Sequence, residues 1–196
     1  MLKIDCARLL LRDIQPRDLR TLVAQFAEPS AAPFILQSQR DPSRMRLALQ
    51  SAIDPPSLSY RSRFRLAMVI KATGEVVGNC TLAFAEPGTR AATLGWHIGE
   101  AYSGRGYAAE SGRALLALAF AVNGVRAVNS DCFAHNERVQ RVLRKLGFQL
   151  HTRTRLGRWW MSMRYGEDRP IVRYRIEART WTGVAPTIMN SPVLDP

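Results

Sequence analysis

The stretch Leu94-Gly-Trp-His-Ile-Gly-Glu-Ala-Tyr-Ser-Gly-Arg-Gly-Tyr-Ala-Ala-Glu110 gathers the residue types that could do chemistry in this chain. Its apolar start reads as a strand and its Ala-rich end as the opening of a helix, with Gly104 and Gly106 at the turn between them. Glycines there let a ligand come close to the backbone. The unpaired amides at the helix start, backed by the helix dipole, attract phosphate oxygens. Arg105 adds a positive charge to the same turn. The spacing also serves as a plain turn, since it is neither Gly-x-x-x-x-Gly-Lys nor Gly-x-Gly-x-x-Gly.

That turn needs a strand before it and a helix after it, and both fit a wider pattern. Leu9–Arg12 is a short apolar run, and Pro16 opens a helical stretch with Leu19, Leu22, Val23 and Phe26 suitably spaced. Asp41 as cap and Pro42 at the first helical position predict a second helix carrying Met45, Leu49 and Ile53, stopped by Pro55-Pro56. Phe64–Lys71 and Val76–Ala85 read as a hairpin turning at Thr73-Gly74-Glu75, and Ala91–Gly99 as the next strand. Tyr107–Val122 is the helix after the glycines, with Leu115, Leu116 and Phe120 facing inward and Asn123-Gly124 ending it. Arg126–Phe133 reads as a strand. Asn136–Lys145 reads as a helix with Val139, Val142, Leu143 and Leu146 on one face, capped by Asn136 and ended by Gly147. Phe148–Arg155, Trp159–Tyr165 and Ile171–Arg179 read as closing strands, and Asn190–Pro196 as a loose tail. This order predicts a mixed sheet with helices packed on it.

A chain of 196 residues, 46% hydrophobic and 22% charged, suits one globular domain, expected over 1–185 with a tail at 186–196. No window approaches the roughly 18 to 20 apolar residues of a membrane span, and Lys3, Asp5 and Arg8 interrupt the start. A cytoplasmic protein without a membrane partner is expected. Cys6, Cys80 and Cys132 are odd in number and widely spaced, which predicts reduced thiols in strands and no metal site. The formal charge is +12, carried mostly by arginine. Such a field suits nucleic acid, an acidic protein or a phosphorylated cofactor, or is simply a solvated surface. Trp159, Trp160, Tyr165, Tyr174 and Trp181 interleave with arginines, a pattern that could stack nucleic-acid bases but that closing strands also need. The buried-strand reading is preferred.

Several segments together resemble the GNAT superfamily of N-acetyltransferases, in the branch of the ribosomal-protein alanine acetyltransferases RimJ and RimL. Leu9-Leu-Leu-Arg-Asp13 with Asp18-Leu19 resembles the opening strand and helix, and Gly74-Glu-Val-Val-Gly78 the central hairpin. Leu94-Gly-Trp96 followed by Gly104-Arg-Gly-Tyr-Ala108 resembles the acetyl-CoA pyrophosphate loop. Asn136 followed by Arg138-Val-Gln-Arg-Val-Leu-Arg-Lys-Leu-Gly-Phe148 resembles the Asn-led helix ending in Lys-Leu-Gly-Phe. The resemblance spans about residues 8–181. Three positions depart from it: Ser103 stands where the loop usually starts with Gln or Arg, Thr93 where an acidic residue is frequent, and Val139 where a serine is common.

The resemblance implies an α/β fold with one mixed, mostly antiparallel sheet of about seven strands, splayed between the fourth and fifth, flanked by about four helices. It implies acetyl-CoA as co-substrate and no metal. Gly104, Arg105, Gly106, Tyr107 and Ala108, with Ser103 at the loop start, would hold the pyrophosphate. Ile98 would lie along pantetheine, and Asn136 near the cofactor. Arg138, Arg141 and Lys145 form either a phosphate-facing side of the helix or a solvated face. Amine acetylation needs a neutral amine, attack on the thioester carbonyl and protonation of the leaving thiolate. His97, whose ordinary pKa suits a general base, and the weaker carboxylates Glu86 and Glu100 are the catalytic candidates, against packed-histidine and turn-carboxylate readings. His135 reads as a loop residue, His151 has no supporting context, and Cys132 is not a nucleophile candidate. The expected function is acetyl transfer to a primary amine, a protein N-terminus or a small amine, in a ternary complex. An acidic or ribosomal partner for the basic surface and a homodimer are compatible with it. The alternative is a non-catalytic acyl-CoA-binding or basic nucleic-acid-binding or ribosome-binding module on the same fold.

Overall fold

The computed structural model describes residues 1–53, 61–84, 90–121, 125–152, 155–183 and 187–189. Nine strands form one sheet: β1 (Lys3–Asp5), β2 (Leu9–Asp13), β3 (Arg63–Ile70), β4 (Val76–Phe84), β5 (Ala91–Ile98), β6 (Ala127–Phe133), β7 (Gln149–Leu150), β8 (Ile171–Glu177) and β9 (Thr187–Met189). Their order is β7-β8-β6-β5-β4-β3-β2-β1-β9. Every pairing is antiparallel except β5 with β6. The helices are α1 (Leu19–Phe26), α2 (Pro42–Gln50), α3 (Tyr107–Ala121), α4 (Glu137–Lys145) and α5 (Arg155–Arg164).

Alternation along the strands feeds two cores, one on each face. Leu66 and Met68 of β3 join Leu9, Leu11, Leu94, Leu115, Leu116 and Leu143 on the face covered by α3 and α4. Ala67 and Val69 join Leu22, Phe26, Met45 and Leu49 under α1 and α2. The predicted signals for α2 and α4 appear as atoms. Asp41 accepts from the amides of Ser43 and Arg44 at 2.8 and 3.2 Å. At the end of α4, Gly147 at φ +90 donates to the Arg144 carbonyl and Phe148 to that of Leu143, which closes the helix with a left-handed glycine cap.

The structure corrects several expectations. Two short strands, β1 and then β9, extend the sheet beyond β2, so the count exceeds about seven. The closing strand expected at Phe148–Arg155 shrinks to Gln149–Leu150. Trp159–Tyr165 is not a strand but lies mostly within α5, a fifth helix that ends at Arg164, with Gly166 at φ +62 turning the chain two residues on. Leu156, Trp159, Trp160 and Met163 recur at helical spacing, and that period outweighed the β preference of the tryptophans. The buried reading of the late aromatics holds for Tyr174, and Trp181 packs on Phe120 at 5.4 Å, but Trp159 and Trp160 are exposed. Cys6 lies between β1 and β2 rather than in a strand. The helix stops at Pro55-Pro56 and Asn123-Gly124, the carboxylate Glu86 and the tail 190–196 lie outside the described residues.

Candidate active site

The strand pair β5 and β6 determines where a ligand can enter the sheet. Their parallel ladder joins only Ala91–Thr93 to Ala127–Asn129. Beyond it, β5 continues along β4 as far as Ile98, while β6 follows β8 to Phe133. The sheet therefore splays between the fourth and fifth strands of the sequence prediction, which become β5 and β6 once β1 is counted. Each side of the opening leads into a helix: β5 through residues 99–106 into α3, and β6 through residues 134–136 into α4.

The first junction is exposed from Ser103 to Gly106. Gly104 and Gly106 have φ of +77 and +84, the left-handed region that only glycine enters freely, so the sequence has glycine where the turn demands it. The bond closing the start of α3 runs from the Glu110 amide to the Gly106 carbonyl, 3.1 Å. Amides before Glu110 thus stand at an open helix N-terminus, the arrangement that binds phosphate oxygens. A clamp from the start of β2, led by Arg8 just before it, holds this loop. Glu110 accepts the amides of Arg8 and Leu9 at 2.7 and 3.0 Å and the Arg8 guanidinium at 2.8 Å. The same guanidinium donates to the Arg105 carbonyl at 2.9 Å and lies over the Tyr107 ring. A side chain at Gly106 would meet Arg8 Nη2 at 3.3 Å. Arg105, beside the Glu110-paired Arg8, borders these open amides, and this donor set fits an anionic diphosphate.

Of the titratable candidates, His97 is the best fixed. Strand phase puts it on the face under α1, away from Trp96 and Ile98, which pack with the α3 core. Its ring stacks on Phe26 at 3.9 Å, and Nε2 donates to the Gln25 carbonyl at 3.0 Å. Burial lowers its pKa below the ordinary histidine value, against smaller upward pulls from the Gln25 bond and the Glu28 charge. Glu100 is half-exposed and paired with Arg138 of α4 at 3.3 Å, while its amide donates to Glu28. That ion pair bridges the end of β5 to α4, on opposite sides of the opening.

The second junction is built differently. Asn136 is buried and caps α4, its Oδ1 accepting the Val139 amide at 3.2 Å. Val139 replaces the family's serine at a position that contributes its backbone to that cap. His135 stacks on Phe133 and reaches the Pro33 carbonyl at 2.9 Å. Arg141 forms an exposed pair with Glu137 at 3.5 Å. Burial raises the Cys132 thiol to about 12, with the Asp131 charge adding to the rise, so a thiolate is disfavoured there.

Sequence reasoning passed over three groups that order this site. Arg8 and Glu110 lie 102 positions apart, and no local spacing links them. Gln25 holds His97 through its backbone, and its side chain reaches the Val76 carbonyl and packs against Gly99. Arg169 ties the segment between α1 and α2 to the far side of the sheet, donating to the carbonyls of Pro33 and Ile35 at 2.8 and 3.0 Å. Glu167 braces that arginine. Only an unusual density of charge around Arg169 hinted at this last contact.

Comparison with known proteins agrees with this geometry. The profile of the family "Acetyltransferase (GNAT) domain" matches residues 8–149. A Bacillus licheniformis protein named "Uncharacterized N-acetyltransferase p20" is 24% identical over 143 residues, 72% of this chain and 79% of that protein. A GNAT-family acetyltransferase structure from Bacillus anthracis superposes with a TM-score of 0.70 at 17% identity, over 89% of this chain and 98% of that one. RimL, a ribosomal alpha-N-protein acetyltransferase solved with coenzyme A, superposes with a TM-score of 0.69 at 18% identity, over 89% and 97%.

Proposed function

Because the chain belongs to the GNAT acetyltransferase family, we propose that it is an acetyl-CoA-dependent N-acetyltransferase of the RimJ/RimL-like kind, acting on a primary amine. The acceptor is a protein N-terminus or a small amine. The observation that carries this reading is the exposed Ser103–Gly106 turn at the uncapped start of α3, beside the splay of β5 and β6. Acetyl-CoA would supply an activated thioester whose acetyl group goes directly to the neutral amine in a ternary complex, the C–S bond breaking and the CoA sulfur leaving as the protonated thiol.

The chain's own residues have distinct tasks in this reading. Backbone amides from Gly104 to Ala108 bind the pyrophosphate, with Arg105 and Arg8 adding charge. The unpaired edge of β5 up to Ile98 offers backbone groups to the pantetheine arm. His97 carries its proton on Nε2, because the Gln25 carbonyl can only accept. Its Nδ1 is therefore the atom that takes a proton from an acceptor ammonium, and the lowered pKa keeps the ring neutral for that task. Glu100, held by Arg138, acts as a link across the opening, and Asn136 orders the start of α4 beside it.

Thermal unfolding with and without acetyl-CoA tests the cofactor, with adenosine phosphates as controls. At about 100 times the dissociation constant, stabilisation of about 2.7 kcal/mol, several degrees at this size, is expected. Release of free thiol on adding N-terminal peptides or small amines then tests the transfer. A protein that acetyl-CoA stabilises but that releases no thiol with any amine would be a binding module instead.

A further inference from the structure

Eight large apolar side chains are exposed among the described residues, and four of them lie on α5: Leu156, Trp159, Trp160 and Met163. Trp159 and Trp160 are 58% and 56% exposed. The four recur at i, i+3, i+4 and i+7, so they form one stripe along a single side of the helix. The opposite side is anchored to the domain. Ser162 is buried and donates to the Arg169 carbonyl while accepting the Ile171 amide, and Tyr165, just past the helix, donates to Asp131 at 2.6 Å. The helix is thus held with its apolar stripe turned to solvent, the reverse of the usual arrangement for a surface helix.

We propose that α5 is a docking surface for an anionic lipid bilayer. Charge supports this occupant: Arg155 and Arg164 flank the stripe, the helix carries no acidic residue, and the chain has a net charge of +12. Shape supports it too. The shallow space beside the indoles, about 470 Å³, is lined by Trp159, Trp160, Met163 and Arg164, all from α5. Among the described residues no second element supplies the opposing wall that would make it a groove for a peptide helix. A ridge of this kind meets a plane. Indoles favour the boundary between headgroups and acyl chains, with the arginines reaching lipid phosphates. A second copy of the chain would set the same arginines against one another. A single-stranded nucleic acid would use the indoles and leave Leu156 and Met163 unpartnered.

The expectation of no membrane partner came from the absence of a long apolar run. Among the described residues no helix is long and apolar enough to cross a membrane. A ten-residue helix lying in the interface needs no such run. This docking goes beyond acetyl transfer and does not depend on it.

Sedimentation of the full chain with vesicles tests the proposal. One set is pure phosphatidylcholine, the other an equal mixture with phosphatidylglycerol. Binding to the mixed vesicles at about 0.1 M salt, strong loss of it at about 0.5 M, and little binding to phosphatidylcholine are expected. Leu156→Gln with Met163→Gln should weaken binding at least about tenfold while the acetyl-CoA thermal shift stays unchanged, which shows that the fold is intact. Acyl chains carrying bromine should quench tryptophan emission in the wild type and much less in Trp159→Phe with Trp160→Phe. Failure to sediment with phosphatidylglycerol vesicles overturns the proposal, as does equal sedimentation of the Gln variant. A concentration-dependent dimer abolished by the Gln variant would assign the ridge to a second copy. Quenching by a single-stranded oligonucleotide in place of lipid would assign it to nucleic acid.

Discussion

Two strand-to-helix junctions stand on either side of the same opening, and they meet the same problem in opposite ways. Every helix start leaves amides without partners. At α4 the chain supplies its own acceptor, the buried Asn136 side chain, and packs the turn with His135 and Phe133. At α3 no side chain among the described residues caps the helix; two left-handed glycines leave the amides bare, and Arg8, held by Glu110, braces the turn through the Arg105 carbonyl. A junction that caps itself has used the groups a ligand needs. One that is braced from a distance keeps them available, which is why the proposed anion site is the α3 junction rather than the self-capped α4 junction.

The sharpest way to break this contrast is Gly106→Glu. It puts a carboxylate among the bare amides, at a φ of +84 and within 3.3 Å of Arg8. Acetyl-CoA affinity should fall by at least about a hundredfold, about 2.7 kcal/mol, measured by calorimetry. Glu110→Ala removes the acceptor of the Arg8 and Leu9 amides and of the Arg8 guanidinium. Leaving those donors unsatisfied should cost about 2 kcal/mol in denaturant unfolding and lower acetyl-CoA affinity as the loop loosens. Asn136→Ala should cost only about 1 kcal/mol of stability, while Asn136→Asp restores it because the carboxylate caps equally well. An Asn136→Asp protein of full stability but much weaker acetyl-CoA binding would instead put the asparagine amide against the cofactor.

The smallest effect concerns His97. Its folded pKa lies below the ordinary 6.5, so below that value the unfolded chain takes up a proton that the native protein resists. Native stability from this group is therefore complete above about 6.5 and is lost as pH falls towards the lowered folded value. Wild type should lose more stability than His97→Gln between about pH 7.5 and about pH 5.5 in urea titrations. In the acetyl-transfer reading, the same variant should also flatten the acidic limb of the kcat/KM profile. A flattened stability curve with an unchanged rate profile would leave His97 a packed strand histidine.

Local signals reached far into this molecule. The cap at Asp41, the glycine ending α4, the hairpin at Gly74 and the glycine pair before α3 are each satisfied by atoms within a few residues of the signal, so the sequence carries them explicitly. The opening between β5 and β6 was legible only by resemblance, because pairing that stops after three residues leaves no mark on either strand. The α5 helix shows the limit of local reading. Its tryptophans have strand preference, its spacing is helical, and nothing in ten residues says which face a distant β8 will cover.

The amino-acid sequence by itself determined the order of most elements, both helix starts at the site and the left-handed turn, since these depend on backbone dihedrals and neighbouring amides. Tertiary structure alone decided which side of β5 His97 faces, that Glu110 would serve the Arg8 and Leu9 amides, and that the α5 stripe would point outward. Those outcomes depend on which surfaces meet across a hundred residues of chain. Side-chain periodicity specifies that a face exists, and only packing specifies what covers it.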